Sequence, residues 1–376
     1  VGVDGIVLNY ELLRIESVFP LVSKISSQRE TLLCVDESQR VKNPRSKSFA
    51  ALQAVSKVCS RKILLSGTPT PKDISDIWAQ MAICDGGERL GTNFYTWLES
   101  VAELGNQWSE FAVQKFRPIE VQESIARVHE ILLRRKKEDV VSLHDKLFST
   151  RDVELSGDQK KRYNEITEEL LVQMSSLSGE SFIRSIDSVL EEYLRAVQIA
   201  SNPRLVDDNW EGTPAKFLEL DHLVKEIVED GNKNVVIWTN FRKNVQELVE
   251  RYHHFGAKPY SGDVDEATRQ KTVEDFQDAQ NSDCRVLVAI PAAGGVGITL
   301  TAAQTAIYLD KTWNAEHWLQ SIDRIHRIGQ KGTVNIISLN ACPVDDLISF
   351  NLLKKFKNQE RLLELGQSEQ EILVPT

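Results

Sequence analysis

The second half of the chain alternates short apolar runs with amphipathic segments, and this alternation restricts the possible folds more than any other feature. Four runs read NVVIWTN, CRVLVAI, TAIYLD and TVNIISL, and they begin at Asn234, Cys284, Thr305 and Thr333. Each run is short and rich in β-branched residues, which predicts a buried strand. Strands that alternate with helices form a parallel, doubly wound sheet. Ligands of such a sheet bind at the carboxyl ends of its strands.

The first 85 residues show a shorter version of the same pattern. GIVLNY from Gly5 and TLLCVD from Thr31 predict strands, and RKILLSGTP from Arg61 predicts a strand followed by a loop. The segment SKSFAALQAVSKV between them predicts a helix. Because 376 residues are too many for one ordinary core, we expect two domains. The predicted fold class is therefore α/β, in two lobes.

Composition narrows the class of protein without naming a partner. No apolar run approaches the roughly 20 residues of a membrane span, and the chain does not begin with a signal peptide pattern. The formal net charge of -10 does not indicate a nucleic-acid-binding protein, although a groove can be basic on an acidic body. The five cysteines are scattered without a C-x-x-C pair. They predict reduced thiols in an intracellular protein rather than a zinc site.

Two adjacent acids end the first clear strand. In LLCVDESQRVKNP, Asp36 and Glu37 directly follow the apolar residues. An Asp at a strand end can hold a magnesium ion through water, and a neighbouring Glu can orient the attacking water in phosphoryl transfer. The alternative is an acidic turn after a strand, which is common. The dipeptide alone does not decide between them.

Two further strand ends carry small and hydroxyl residues. Ser66 and Thr68 in LLSGTP could form hydrogen bonds toward the same site, and the alternative is a plain turn. In AIPAAGGVGITLTAA, Gly294, Gly295 and Gly297 follow a buried strand, where bare backbone N–H groups can approach a phosphate. Glycine loops after strands are also common without a ligand.

The segment HWLQSIDRIHRIGQ places cations near the same edge of the second sheet. Gln320, Arg324 and Arg327 are spaced by four and three residues, which predicts that they share one helix face. Two arginines on such a face could clamp a triphosphate. The alternative is a solvated charged helix in which Asp323 makes local pairs.

The order of these motifs resembles that of the Swi/Snf-type ATPases, the double-stranded-DNA translocases of helicase superfamily two. DESQ, LLSGTP, LLRRKKEDV, AAGGVGITLTAA and QSIDRIHRIGQ occur in the family's order over nearly the whole chain, and IDRIHRIGQ is highly specific. The resemblance implies two RecA-like lobes with parallel, doubly wound sheets, helical insertions between them, and ATP in the cleft between the lobes.

The resemblance also assigns roles to residues. It implies that Asp36 and Glu37 are the magnesium and water carboxylates of motif II, followed by Gln39. The implied nucleotide-binding residues are Ser66 and Thr68 of motif III, Gly295 and Gly297 of motif V, and Gln320, Arg324 and Arg327 of motif VI. The implied cofactors are ATP and Mg²⁺.

The implied partner is double-stranded DNA, with no membrane contact. LNYELL resembles motif Ib, which touches the DNA backbone, and KTWNAEHW resembles the segment that couples DNA contact to the ATP site. The candidate DNA contacts are Asn9, Tyr10, Lys42, Arg134, Arg135, Thr299 and Trp313.

The resemblance divides the chain into five segments. They are the C-terminal part of lobe 1 (1–85), a helical insertion with a basic segment between the lobes (86–150), a helical protrusion leading into lobe 2 (151–212), lobe 2 (213–345), and a C-terminal helix and tail (346–376).

Two departures from the family pattern matter. Motif II usually ends in His, and Gln39 takes that place, where it can still form a hydrogen bond. The phosphate loop G-x-x-x-x-G-K-[ST] does not occur in the sequence, and GGERLGTN from Gly86 has the glycines but no Lys. With Val1 as first residue, we expect a chain truncated at its N-terminus, so that this chain alone is inactive.

Three functions remain open at this point. The first is an ATP-dependent translocase on double-stranded DNA. The others are a non-catalytic nucleic-acid-binding fragment and a strand-separating DNA or RNA helicase. Gln39 and the compact insertions favour a cytoplasmic protein of bacterial or viral source, and a eukaryotic source would place it in the nucleus. The pathway that it serves does not follow from the sequence.

Overall fold

The apolar run that precedes the two acids forms the first strand of a parallel pair. In this computed structural model, β1 (Leu32–Val35) pairs in parallel with β2 (Arg61–Leu64). Parallel strands need a crossover between them, and helices α1 (Phe19–Ser27) and α2 (Lys47–Ser56) lie before and between the strands. Ser46 caps α2, because its side chain accepts a hydrogen bond from the Phe49 N–H. These elements match the predicted strands TLLCVD and RKILL and the predicted helix.

The structure describes residues 5–105, 113–135, 141–155, 157–176, 191–278, 283–295 and 297–364. The chain divides into two compact units, residues Val1–Arg134 with Lys354–Thr376, and residues Arg135–Leu353. The remaining elements of the first unit are α3 (Ser75–Asp85), α4 (Phe94–Val101), an antiparallel pair of β3 (Ala102–Leu104) and β4 (Val113–Phe116), and α5 (Pro118–His129).

The second unit is built on one parallel sheet. Its strands are β5 (Lys146–Asp152), β6 (Asn234–Trp238), β7 (Lys258–Tyr260), β8 (Val286–Ala289), β9 (Ala303–Tyr308) and β10 (Val334–Asn340). They pair in the order β5-β10-β9-β6-β8-β7, and every pair is parallel. The helices are α6 (Gly157–Ser176), α7 (191–201), α8 (Ala215–Val224), α9 (Arg242–Arg251), α10 (Glu266–Gln277), α11 (Ala315–Ile325) and α12 (Pro343–Glu364), which runs beyond this unit.

Helices cover both faces of this sheet. Alternate residues of β6 belong to two apolar clusters, one with Val236 and Trp238 and the other with Val235 and Ile237. The first cluster includes Ile322 of α11, and the second includes residues of α8 and α9. Every residue of β6 is buried, as expected for a strand that is covered on both sides. The α/β class with parallel, doubly wound strands is therefore confirmed.

Two local predictions differ from the structure. The predicted strand GIVLNY is wrong, because residues 5–10 form no strand and no described strand pairs with them. The mostly helical middle of the chain also contains strands β3, β4 and β5. β5 spans the expected boundary at residue 150 and forms an edge of the second sheet by pairing with β10. The finer five-segment division stays a prediction.

A fully buried ion pair joins the starts of two helices in the second unit. Lys216 of α8 has 0% exposure, and its Nζ lies 2.8 Å from Oδ2 of Asp345 in α12. The Lys216 ammonium also donates a hydrogen bond of 3.0 Å to the Leu309 carbonyl. A buried ion that loses its partner is costly, so this pair matters most when only one member is removed.

We expect Lys216→Met to lower the free energy of unfolding of the second unit by about 3–5 kcal/mol, because Asp345 is left buried without its counter-ion. Urea denaturation followed by circular dichroism measures the change. The double variant Lys216→Met with Asp345→Leu should recover most of the loss, and Lys160→Met, which removes an exposed pair with Glu154, should change little. A single variant as stable as the wild type would contradict this assignment.

Candidate functional site

The loops after β1 and β2 lie side by side in the first unit. The Leu65 N–H donates to the Val35 carbonyl at 2.8 Å, and the Ser38 N–H donates to the Leu65 carbonyl at 2.9 Å. These bonds continue the parallel ladder past the ends of both strands. The residues of DESQ and of SGTP are therefore held at the same edge of the pair, as the sequence predicts for carboxyl ends of parallel strands.

Gln39 joins the acid turn to the second loop. The Ser66 hydroxyl donates a hydrogen bond of 2.6 Å to Gln39 Oε1, and Gln39 Nε2 donates one of 2.6 Å to Glu37 Oε2. The Thr68 N–H donates to Ser66 Oγ at 3.0 Å. Gln39 is 1% exposed, so these bonds are shielded from water. Four residues singled out from the sequence, Glu37, Gln39, Ser66 and Thr68, thus form one connected network.

The two acids differ in conformation. Asp36 is exposed, and its Oδ1 accepts a hydrogen bond of 3.0 Å from the Glu37 N–H. Glu37 is half-buried and adopts the left-handed conformation, with φ 50° and ψ 51°. In the part of the chain that the structure describes, no group of three or more His, Cys, Asp or Glu could hold a metal ion. Two carboxylates still suit Mg²⁺, which commonly uses one or two of them and completes its shell with waters and substrate phosphates.

A polar pair on α3 also supports the acid turn, and the sequence analysis missed it. The Ser38 hydroxyl donates a hydrogen bond of 2.7 Å to Gln80 Oε1, and Gln80 Nε2 donates one of 2.6 Å to the Pro69 carbonyl. Asp76, one turn earlier, accepts a bond of 2.7 Å from the Lys72 N–H. Burial raises the pKa of Asp76, and the nearby positive charge of Lys42 opposes that rise. The sequence signal for this pair was two polar residues four apart, Asp76 and Gln80, in the mostly apolar segment SDIWAQMAICD.

Three residues predicted to contact DNA make internal contacts in the first unit. Asn9 Oδ1 accepts a hydrogen bond of 2.8 Å from the N–H of Leu12, the first residue of a short 3-10 helix, Leu12–Arg14. Lys42 Nζ lies 3.5 Å from Asp76 Oδ2. The Tyr10 hydroxyl donates to the carbonyl of Asp36, and burial raises the pKa of Tyr10 to about 12. Their roles in DNA binding stay predictions.

The glycine loop and the arginines meet in the second unit. Pro291–Gly295 form a 3-10 helix directly after β8, and Gly297 follows. Arg327 Nη1 donates hydrogen bonds of 3.3 Å to the carbonyls of Gly297 and Ile298. The Leu300 N–H donates to the Arg324 carbonyl at 2.8 Å. The glycine loop and the motif-VI segment are thus held together, as expected for two segments that were both predicted to bind phosphate.

The prediction that Gln320, Arg324 and Arg327 share one helix face is wrong for Arg327. Helix α11 ends at Ile325, because His326 leaves the helical region with ψ 78° and Gly329 turns the chain with φ 100°. Arg327 is therefore an exposed residue of the turn, whereas Arg324 is on the helix and only 9% exposed. Gln320 Nε2 contacts Glu316 Oε1 at 3.5 Å.

The remaining candidate residues differ in their exposure and in their contacts. Trp313 packs against Tyr193 with ring centroids 5.3 Å apart, and Thr299 is half-buried. Arg134 and Arg135 stand where the first unit gives way to the second, with Arg134 half-buried and Arg135 exposed. Their neighbours Lys136 and Lys137, part of the same basic segment, lie outside the described residues.

The family model of the SNF2-related domain matches residues 6–205, which are more than half of the chain. The chain belongs to the SNF2-related family. The model of the helicase conserved C-terminal domain matches residues 216–329 of this SNF2-related chain. None of its described helices is long and apolar enough to cross a bilayer.

Curated relatives of the SNF2-related chain include chromatin-remodeling proteins. It is 27% identical to the CHD3-type chromatin-remodeling factor CHR7 of Arabidopsis thaliana, over 94% of this chain and 27% of that protein. It is 26% identical to the ISWI chromatin-remodeling complex ATPase ISW1 of Saccharomyces cerevisiae, over 96% of this chain and 31% of that protein. The chain thus spans about a third or less of these two relatives. Among solved structures, the Sulfolobus solfataricus SWI2/SNF2 ATPase core in complex with dsDNA is 22% identical with a TM-score of 0.46, over 92% of this chain and 75% of that one.

We expect Gln39→Ala to lower the free energy of unfolding of the first unit by about 1–3 kcal/mol, because the Ser66 hydroxyl and Glu37 lose a buried partner. Urea denaturation of Gln39→Ala, Ser66→Ala and the double variant gives a coupling free energy, expected near 1 kcal/mol. Ser27→Ala removes an exposed hydroxyl that donates to the Lys24 carbonyl in its own helix, so its coupling to Gln39→Ala should be close to zero. Equal coupling for both serines would show that no specific link exists.

Proposed function

We propose that this chain belongs to an ATP-driven motor that moves along double-stranded DNA. The observation that carries the proposal is the network in which Gln39 joins Glu37 to Ser66 at the carboxyl ends of two parallel strands. Such a network connects a carboxylate to the loop of the next strand. The names of similar proteins support the chemistry, since they include an ATPase and an ATP-dependent DNA helicase, DDM1 of Arabidopsis thaliana.

In this proposal, Asp36 and Glu37 provide the groups that act in ATP hydrolysis. Asp36 would hold Mg²⁺, with Glu37 close by, and the ion would neutralise charge on the phosphates when bound. Glu37 is suited to orient the attacking water, because the hydrogen bond from Gln39 Nε2 holds its carboxylate beside Asp36. The exposed side chain of Asp36 is accessible to a cation.

The second unit supplies the phosphate-binding cations of the proposal. Arg327 is held on the glycine loop by two hydrogen bonds and remains exposed. We assign Arg324 and Arg327 to the terminal phosphate of ATP, with Gln320, Gly295 and Gly297 near it. The DNA contacts that we propose are to phosphates, which makes binding independent of base sequence. The candidates are Asn9, Tyr10, Lys42, Arg134, Arg135, Thr299 and Trp313.

A second function is favoured by one sequence fact. The phosphate loop G-x-x-x-x-G-K-[ST] is not found in residues 1–376, and that loop normally holds the phosphates and the magnesium ion. A polypeptide limited to these residues would then bind DNA without hydrolysing ATP. A protein with either function would act where its DNA lies, which is the nucleus in a eukaryote and the cytoplasm in a bacterium.

We expect purified 1–376 to show no DNA-stimulated ATP hydrolysis, because these residues lack the phosphate-loop lysine. A phosphate-release assay measures hydrolysis with and without a blunt DNA duplex of about 40 base pairs. This duplex is longer than the ~16 base pairs that a small double-stranded-RNA-binding module spans. Arg327→Ala is the matched control for contaminating enzymes, whose activity would be the same in both preparations. Hydrolysis that Arg327→Ala abolishes would show that the phosphate loop is dispensable while supporting the motor.

We expect the chain to bind double-stranded DNA with an affinity that falls steeply as salt rises, since phosphate contacts release counter-ions. Fluorescence anisotropy with two duplexes of unrelated sequence should give equal affinities. Replacing Arg134 and Arg135 by Gln should reduce the salt slope by about one for each phosphate that is no longer neutralised. Lys160→Gln, whose side chain pairs with Glu154 outside the candidate set, should leave the slope unchanged. An unaltered slope in the double variant would remove both arginines from the interface.

A further inference from the structure

The side chain of Tyr10 contacts the main chain of both acids. Its hydroxyl donates to the Asp36 carbonyl and lies 3.4 Å from the Glu37 carbonyl oxygen. Tyr10 is 26 residues away from Asp36 in sequence and belongs to a different segment of the first unit. The motif LNYELL contains Tyr10 but does not predict that its hydroxyl contacts the acid turn. The contact therefore links a segment before α1 to the turn that carries the acids.

The turn that Tyr10 contacts has a conformation that needs support. Glu37 has φ 50° and ψ 51°, a region that residues with a Cβ adopt at a free-energy cost. Of the non-glycine residues that the structure describes, only Glu37 and Asn232 have positive φ. In this conformation the carbonyl groups of Asp36 and Glu37 both approach one hydroxyl. A donor at that point favours the left-handed turn over the extended alternative.

The Tyr10 ring is itself held in place. The guanidinium carbon of Arg40 lies 5.5 Å from the ring centroid, and Arg40 pairs with Glu11 at 3.7 Å. Asn9 Oδ1 accepts a hydrogen bond from the Leu12 N–H, and Leu13 of the 3-10 helix that follows Tyr10 is buried in the core of the first unit. Residues on both sides of Tyr10 thus make contacts of their own within the first unit.

We infer that Tyr10 is a positioning residue for the acid pair, and that its hydroxyl fixes the direction in which the Asp36 and Glu37 carboxylates point. This role rests on the proposed function, because the direction matters only if the carboxylates hold a divalent cation and a water. It adds a role to Tyr10 beside its predicted DNA contact, because the hydroxyl contacts the acid turn.

Hydrogen exchange tests whether the hydroxyl holds the turn. In Tyr10→Phe, the amides of residues 37–40 should exchange about fivefold faster or more, because one hydrogen bond to their turn is removed. Exchange in β6 of the second unit should not change. 4-Aminophenylalanine at position 10 restores a donor and should return the rates to wild type. 4-Methylphenylalanine fills similar space without a donor and should behave as Phe. Tyr95→Phe, which removes the hydroxyl that accepts from Arg45 Nε, is the control for removal of a tyrosine hydroxyl elsewhere in the unit.

Manganese binding tests whether the turn orients the Asp36 and Glu37 carboxylates so that they bind a cation. The full chain is titrated with Mn²⁺ alone, and free Mn²⁺ is followed by electron paramagnetic resonance. Residues that orient metal ligands typically change affinity by roughly 10-fold or more when removed. We expect such a loss of affinity in Tyr10→Phe, recovery with 4-aminophenylalanine, and no loss in Tyr95→Phe. If Tyr10 only stabilised the fold, Tyr10→Phe would lower the free energy of unfolding but leave the Mn²⁺ affinity of the folded chain unchanged.

The outcomes separate this inference from the proposed function. Mn²⁺ that does not bind, or binds equally to Asp36→Asn, contradicts the metal role of the acids and with it the proposed function. Mn²⁺ that depends on Asp36 but binds equally to Tyr10→Phe overturns the inference and leaves the function in place. Unchanged exchange of residues 37–40 in Tyr10→Phe also overturns it. Loss and recovery in both measurements supports it.

Discussion

Parallel strand pairing is the constraint from which the rest of this structure follows. Parallel strands all end at the same edge of a sheet, so the polar residues after each strand are brought together whatever their distance in sequence. The pairing of β1 with β2 brings Glu37 and Gln39 to Ser66. In the second unit, hydrogen bonds from Arg327 and Leu300 hold the segment between β8 and β9 against the turn after α11. The first unit therefore presents its polar groups along one edge of its strand pair.

The central strands of the second sheet were predictable because burial on two faces demands continuous apolar runs. VVIW, VLVA and AIY lie in β6, β8 and β9, and all but one residue of these three strands are buried. The identity of the site residues was predictable for a different reason, since carboxylates, glycines and arginines at strand ends have few other uses. Edge strands escaped prediction. β5 is exposed along its whole length and reads KLFSTRD, so no apolar run marks it.

The local geometry of the site could not be read from the sequence. Nothing in DESQ indicates that Glu37 takes a left-handed conformation, since Glu has no preference for it. The spacing of Arg324 and Arg327 suggested one helix, but the helix ends at Ile325, where His326 leaves the helical conformation, and spacing does not reveal this. The partners Gln80 and Tyr10 come from segments whose approach depends on tertiary packing. Motifs thus predicted which residues matter, and packing decided how they point.

The side chain that joins the two loops is an amide, and this has a consequence for acidity. A histidine at the same place would gain or lose its proton between about pH 5 and 8 and would change from acceptor to donor at one ring nitrogen. Gln39 keeps both its carbonyl acceptor for Ser66 and its amide donor for Glu37 throughout that range. Communication between the acid turn and the neighbouring loop is therefore insensitive to cellular acidification at Gln39, and any pH response of the protein must arise at other groups.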